Sequence, residues 1–242
     1  MKLKLLYFIG FIGLCSLNLN AQQNQTNLWL QYLGRAQLAE SWRATSVWQY
    51  RSYNLVTDSR LFLINNYVDY KLKNAEVQFG GGYMYLDIMP YNEFGEKRSI
   101  IEHRSLQQVT IGNKVSRRFS ISHRFRLEQR FLFTDWFIMR ARYLFSSRFK
   151  LGDLDNTKWS LIFKNEIRMN LDKERAFDSN RISAGVSYQL SKSISIQPGI
   201  IAQLEAAPIP NDYYFALKLR QKFNFRKNNA KPDIDPIGYS ND

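Results

Sequence analysis

The chain is 242 residues long and carries 34 Lys+Arg against 21 Asp+Glu, a formal net charge of +13, with 45% hydrophobic and 15% aromatic residues. So apolar a composition excludes a disordered chain, and a single cysteine excludes a disulfide scaffold or a thiolate zinc site. A mean hydropathy of −0.40 excludes a bundle of membrane helices, each of which needs about 20 consecutive apolar residues.

Residues 1–21 read as a secretory signal: Lys2 and Lys4 open it, Leu5 to Leu14 form a short apolar run, and Leu19-Asn20-Ala21 ends on a small residue. The run is too short for a membrane anchor. Leu14 stands before Cys15 where a lipidation signal wants a small residue, which argues against a lipoprotein. The predicted organisation is a cleaved signal at 1–21, one barrel over 22–225, and a short polar periplasmic tail at 226–242 containing Pro232 and Pro236.

From Leu28 to Phe225 the dominant pattern is period two, which marks strands with two different faces. Alternation runs through 27–37, 42–53, 60–72, 75–86 and 102–112. It is clearest at 118–133, where Phe119, Ile121, Phe125, Leu127, Phe131 and Phe133 oppose Arg118, Ser120, Arg124, Arg126, Glu128 and Arg130. It continues through 137–150, 159–170, 181–190, 194–205 and 213–225. Turn residues separate the segments: Asn74, Gly112-Asn113, Gly152-Asp153 with Asp155-Asn156, Asp178-Ser179-Asn180, Ser191-Lys192-Ser193 and Pro208-Ile209-Pro210.

Segments of this length exceed soluble strands of about 5–6 residues and suit a bilayer, which a tilted strand crosses in about 9–11. One face carries Phe, Tyr, Trp and Leu, and the other carries Arg–Glu–Arg runs. With the aromatics toward lipid and the charges toward an enclosed interior, both faces are satisfied, and a membrane demands that the sheet close. The predicted fold is all-β: a transmembrane antiparallel β-barrel of 10–12 strands with a charged, Arg-rich lumen. Even strand numbers are the rule for bacterial barrels. Eleven segments therefore predict ten strands, if 27–37 does not span, or twelve, if a strand hides at 87–101; twelve is preferred. The connections 87–101, 171–180 and 206–212 are placed outside the cell.

Three stretches carry a family resemblance: Glu102-His103-Arg104-Ser105-Leu106-Gln107-Gln108, His123 to Phe131 (HRFRLEQRF), and Arg140-Ala141-Arg142-Tyr143 after a short turn. In this order they resemble an uncharacterised Gram-negative, Bacteroidetes-type outer-membrane β-barrel family, domain of unknown function 2490. The resemblance implies a barrel in the cell outer membrane and carries over no catalytic residues. The Phe223-Asn224-Phe225 ending resembles the last-strand signal of barrel-assembly machinery, although 17 residues, 226–242, follow it.

The predicted inward cations are Arg118, Arg124, Arg126, Arg130, Arg140, Arg142, Arg148, Lys164, Arg168, Lys218, Arg220 and Lys222, against inward Glu102, Glu128, Glu166 and Glu205. More guanidinium than carboxylate favours anionic solutes in an open lumen. The structural alternative is an inter-strand Arg–Glu ladder that fills a narrow lumen. A second chemistry is lipid-facing: His103 and Ser105 share one face, as an acyl-ester hydrolase of the phospholipase or lipid A deacylase type requires. Pairing Ile111 with Phe119 places Phe125 and Leu127 beside Ser105, and His123 beside Gln107. That leaves the serine without an orienting acid. A polar stripe facing lipid also suits a partner in a larger outer-membrane complex. The basic, aromatic composition resembles that of nucleic-acid binders, but a signal and one-sided charge exclude nucleic acid as a partner. Two histidines and no cysteine in the mature chain leave no metal site. Gly80-Gly81-Gly82 predicts tight packing in the wall. The expectation is a monomer with no cofactor, in contact with membrane lipid and with assembly machinery during biogenesis.

Overall fold

The computed structural model describes residues 27–73, 75–132, 137–153, 157–171 and 176–226. The signal segment 1–21, Asn74, the Asp155-Asn156 turn pair and the tail from 227 onward lie outside the described residues. Alternation becomes eleven strands: β1 (Asn27–Gln37), β2 (Trp42–Ser52), β3 (Ser59–Lys71), β4 (Val77–Ile88), β5 (Ile100–Lys114), β6 (Phe119–Leu132), β7 (Phe137–Leu151), β8 (Trp159–Asn170), β9 (Phe177–Gln189), β10 (Ile194–Glu205) and β11 (Asp212–Asn224). Each pairs antiparallel with the next, and the sheet closes on itself.

The period-two pattern sorts side chains as a lipid surround requires. On β6, Phe125 is 52% exposed to the outside, while its neighbour Arg124 is 2% exposed inside. The outer face carries aromatic pairs at both rims. Trp42 lies against Tyr70 at 5.0 Å and Trp159 against Tyr188 at 4.4 Å where β2 and β8 begin. Phe131 lies against Phe137 at 5.4 Å at the opposite rim. Between these belts stand Val68, Leu161, Ile167, Ile200, Leu217 and Leu219, all exposed. Aromatic girdles around an aliphatic band are the outer surface of a membrane-embedded barrel. Among the described residues no helix is long and apolar enough to cross a membrane.

The strand count corrects the even-number expectation. Eleven alternating strands bring β1 and β11 together pointing the same way, and they pair in parallel from Asn27↔Tyr214 to Gln37↔Asn224. The Phe225 N–H extends the seam by donating to the Gln37 carbonyl at 2.9 Å. Thus 27–37 does span, and 89–99 adds no strand to the barrel. Its residues form a clasp: Asn92 Oδ1 accepts the N–H groups of Phe94 and Glu96 at 2.9 and 2.8 Å, and Gly95 takes φ +76°. Tyr91 donates to Asp58 at 2.8 Å, and Lys97 pairs with Asp58, so this loop is pinned to the β2–β3 turn. The β4–β5, β8–β9 and β10–β11 connections open at one rim, called upper here; β11 ends at the lower rim.

Gly80 and Gly82 face inward on β4. A Cβ on Gly80 would lie 2.2 Å from Asp69 Oδ1, and one on Gly82 would lie 2.3 Å from the Asn66 carbonyl. Their absence lets β3 side chains cross toward β5, where Gln108 Nε2 donates to Asp69 at 2.9 Å. The wall packs tightly there because nothing larger fits.

Candidate functional site: the filled lumen

The lumen has two halves. On β5 to β9 it is ionic. Glu102, fully buried, accepts Arg104 Nε and Nη2 at 2.8 and 3.0 Å, and Arg130 from the next strand, whose Nη2 lies at 3.0 Å. Glu128, also fully buried, takes Arg104 Nη1 at 3.1 Å and Arg142 Nη1 at 2.5 Å. Arg142 turns its other nitrogens to Glu166, with Nη2 at 2.7 Å from Oε2 and Nε at 3.2 Å from Oε1. Glu166 also receives Arg124 Nη2 at 2.9 Å and Arg181 Nη1 at 3.3 Å. One continuous chain of guanidinium and carboxylate therefore runs Arg130–Glu102–Arg104–Glu128–Arg142–Glu166–Arg181 across five strands. Charge-assisted bidentate contacts of this kind are the strong class of hydrogen bond.

On β1 to β5 the lumen holds an apolar cluster, set between buried polar groups such as Gln31, Asn65 and Gln78. Leu33, Val47, Leu61, Leu63, Tyr67, Met84, Leu86 and Leu106 form one buried cluster, each at most 8% exposed. Trp29 joins the halves. Its indole, 2% exposed, carries Arg51 at 3.4 Å and Arg181 at 4.6 Å over its ring, with Tyr214 edge-on at 5.5 Å. Side chains thus occupy the barrel at mid-height from both directions, with a void of about 40 Å³ between β1 and β8–β11 beside Gln31, Lys164, Ser183 and Lys218. That space holds a few waters at most.

The predicted lumen residues fall into three groups. Arg124, Arg126, Arg140, Arg142, Lys164, Lys218 and Arg220 are buried inside, with Glu128 and Glu166. Arg126 leans on Gln108 Oε1 at 2.7 Å, and Arg140 reaches Asn170 at 3.0 Å and Asp178 at 2.7 Å. Arg130, Arg148, Arg168 and Lys222 point inward nearer the rims and are half-buried. Glu205 stands at the upper rim, 3.9 Å from Arg168. Arg118 is a correction: it lies outside the strands, exposed in the β5–β6 turn, and donates to the Gly152 carbonyl at 2.6 Å. β6 begins at Phe119, so Arg118 keeps the strand's alternation in sequence while lying in the turn. Sequence reading missed Arg104, Arg181, Asp178 and the Arg60–Asp212 pair at 2.6 Å. Arg104 was legible, since it shares parity with Glu102. Asp178 was hidden inside a turn-like Asp-Ser-Asn triplet.

The outward stripe has a different register from the expected one. Ile111 pairs with His123, not Phe119, so Ser105 faces Gln129 and Gln107 faces Leu127. Ser105 Oγ donates to Gln129 Oε1 at 2.7 Å, and Gln129 Nε2 donates to Gln107 Oε1 at 2.9 Å. His103 Nδ1 is bonded to the Tyr83 hydroxyl, and His123 Nδ1 to the Tyr143 hydroxyl at 2.8 Å. Ser105, Gln129, His103 and His123 are each bonded to a neighbour on the wall, which lowers their cost in hydrocarbon. The serine's proton goes to an amide, not to an imidazole. Among the described residues no cluster could hold a metal ion.

Residues 26–214 match the family model described as "Protein of unknown function (DUF2490)". The chain belongs to this family. No curated protein matches it. Among solved structures it is similar to the anion-selective porin from Comamonas acidovorans, at 10% identity and a TM-score of 0.38, over 77% of this chain and 54% of that one. The chain thus spans about half the length of that porin.

Proposed function

We propose that this DUF2490 protein is an outer-membrane barrel of a Gram-negative bacterium whose lumen is closed by its own ion-pair ladder and favours anions wherever that closure is cut. The observation that carries this is Arg142, which bridges Glu128 and Glu166 at the centre of the lumen with contacts of 2.5 and 2.7 Å. Cutting the ladder there removes the element that spans the ionic half. The inward arginines that remain then set the sign of the field along any path, and a low-dielectric wall focuses it.

The test is conductance of the refolded barrel in a planar bilayer under a salt gradient. The native protein is expected to be silent, and Arg142→Ala to conduct with anion preference. Replacing Arg126 and Arg142 together by Gln should open the barrel while weakening that preference. A native protein that conducts steadily would refute closure; cation preference in the opened variants would refute the anion field.

A second reading, a lateral contact with another barrel of a larger complex, draws on Gln107. This exposed residue lies mid-strand on the outer wall and accepts from Gln129, leaving its own amide N–H groups toward the surround. Co-purification in mild detergent that is lost in Gln107→Leu would support it.

A further inference from the structure

Half-way up the outer wall, between β3 and β7, stand polar groups at a depth where lipid supplies no partner. Gln107 is the eighth of the fifteen residues of β5. Outward residues at or beside the middle of the neighbouring strands are Asn66 on β3, Tyr83 on β4, Phe125 on β6 and Tyr143 on β7. Asn66 and Gln107 are exposed, and so are Tyr83 and Phe125 at 50% and 52%. The Gln107 carbonyl accepts from Gln129 at 2.9 Å, while its own N–H groups point into the surround. Beside this amide the wall is indented. A depression of about 600 Å³ is lined by Phe79, Gln107, Phe125, Leu127, Ala141 and Tyr143. Its floor lies low because Ala141 ends at Cβ. On the other flank of Gln107, its register partner Gly81 on β4 carries no side chain.

We propose that this patch is a two-fold contact with a second copy of the same chain, in which the two Gln107 amides bond each other on the axis. The inference rests on the lateral-contact reading above and names its partner. Depth selects that partner. The hydrocarbon core is about 30 Å thick with the polar lipid groups at its edges, so an amide N–H at mid-wall finds no acceptor on a lipid tail, and left unbonded it is costly. An acceptor at that depth comes from another membrane-embedded chain. Two copies inserted the same way round are related by an axis along the membrane normal, a rotation that preserves height, and a two-fold contact sets the same patch against itself. With the axis at β5, Gln107 meets Gln107, and each amide has N–H groups to donate and a second carbonyl lone pair to accept. The flanking strands change places about the axis, so Tyr83 of each copy comes opposite Phe125 of the other, beside the depression. In lipid, chains associate through close packing at small residues and through hydrogen bonds between side chains; Gly81, Ala141 and Gln107 supply both. The sequence suggests a monomer because alternation shows which residues face lipid and not which of them lack a bond there. The contact is independent of whether the lumen conducts.

The test uses the full chain with Cys15→Ser, refolded alone into vesicles at a low ratio of protein to lipid. Val109→Cys places a single thiol on the outer face of β5, two residues from Gln107. A short thiol-to-thiol crosslinker is expected to join two chains through it. The same reagent on Leu217→Cys, exposed on β11 across the barrel, should join at least tenfold fewer. Adding Gln107→Leu to Val109→Cys should lower the yield at least tenfold, and Gln107→Asn, which keeps an amide, should lower it several-fold less. Equal yields at 109 and 217 would overturn the proposal, because chance collision explains both. A yield at 109 that Gln107→Leu leaves unchanged would overturn the amide pair as the centre of the contact. No linked pair at 109, with a different barrel retained through Gln107 in the co-purification above, would refute the second copy and leave the lateral contact standing. No linked pair and no retained barrel would refute both.

Discussion

The Arg51 guanidinium lies 3.4 Å from the centre of the Trp29 indole, and through that ring the ionic half of the lumen meets the apolar half. Arg181 covers the same ring at 4.6 Å while its Nη1 reaches Glu166. Trp29→Leu removes two buried cation–π contacts, about 2 kcal/mol each when desolvated, and opens a gap at the seam. It should cost about 3–5 kcal/mol, read as a lower urea midpoint for the barrel in vesicles. Trp29→Phe, which keeps an aromatic face, should lose less than half of that. A midpoint unchanged in Trp29→Leu would show that the seam is held elsewhere.

Glu166 is the partner of three arginines, and Glu166→Gln leaves Arg124, Arg142 and Arg181 facing one another without their shared carboxylate. Breaking a buried ion network by removing one member costs about 3–5 kcal/mol. The temperature at which the folded band disappears in heat-modifiability gels should fall markedly. The same change at exposed Glu93 should leave it unmoved.

The clasp between the two upper loops depends on pH through Asp58. Burial raises its pKa, but hydrogen bonds from Lys97 and Tyr91 and the Lys97 charge outweigh that and hold the carboxyl below its usual range. A carboxyl depressed in the folded state contributes stability above its unfolded pKa of about 3.9 and loses it as pH falls through the folded value. A fluorophore on the 89–99 loop should therefore report a fixed loop at neutral pH and release only below about pH 4. Asp58→Asn should release it at every pH. A loop that loosens already near pH 6 would contradict this assignment.

Ser105 is committed to Gln129, so Ser105→Ala should leave acyl-ester hydrolysis in mixed micelles at the level of the native protein, with or without calcium. The cost should be about 1 kcal/mol of stability, from a carbonyl that loses its donor. Hydrolysis by the native protein that disappears in Ser105→Ala would instead restore the His103–Ser105 chemistry.

The strands are legible because a membrane barrel writes its two solvents into alternate residues. The segments 159–170 and 194–205 coincide with β8 and β10 to the residue. Where both faces are apolar the pattern fades. Leu61 and Leu63 point inward on β3 while Phe62 and Ile64 point outward, and period two cannot separate them. The apolar half of the lumen was invisible for that reason. β9 begins at Phe177 rather than 181, and there the Asp178 carboxylate is bound by Arg168 of the neighbouring β8 and Arg140 of β7, contacts that no local signal reports. Register is not written in the alternation: the β5–β6 offset is set by the length of the turn, and a shift of four residues preserves the face of every side chain while changing all the partners.

The parallel seam between β1 and β11 has a consequence for how the chain lies across the bilayer. Asn27 belongs to one rim and Asn224 to the other, so the protein enters its barrel on one side of the membrane and leaves it on the opposite side. Joining these points in a circular permutant would take a linker as long as the wall is high, more than about ten extended residues. Two epitopes, one before β1 and one after β11, would answer to antibodies applied from different compartments.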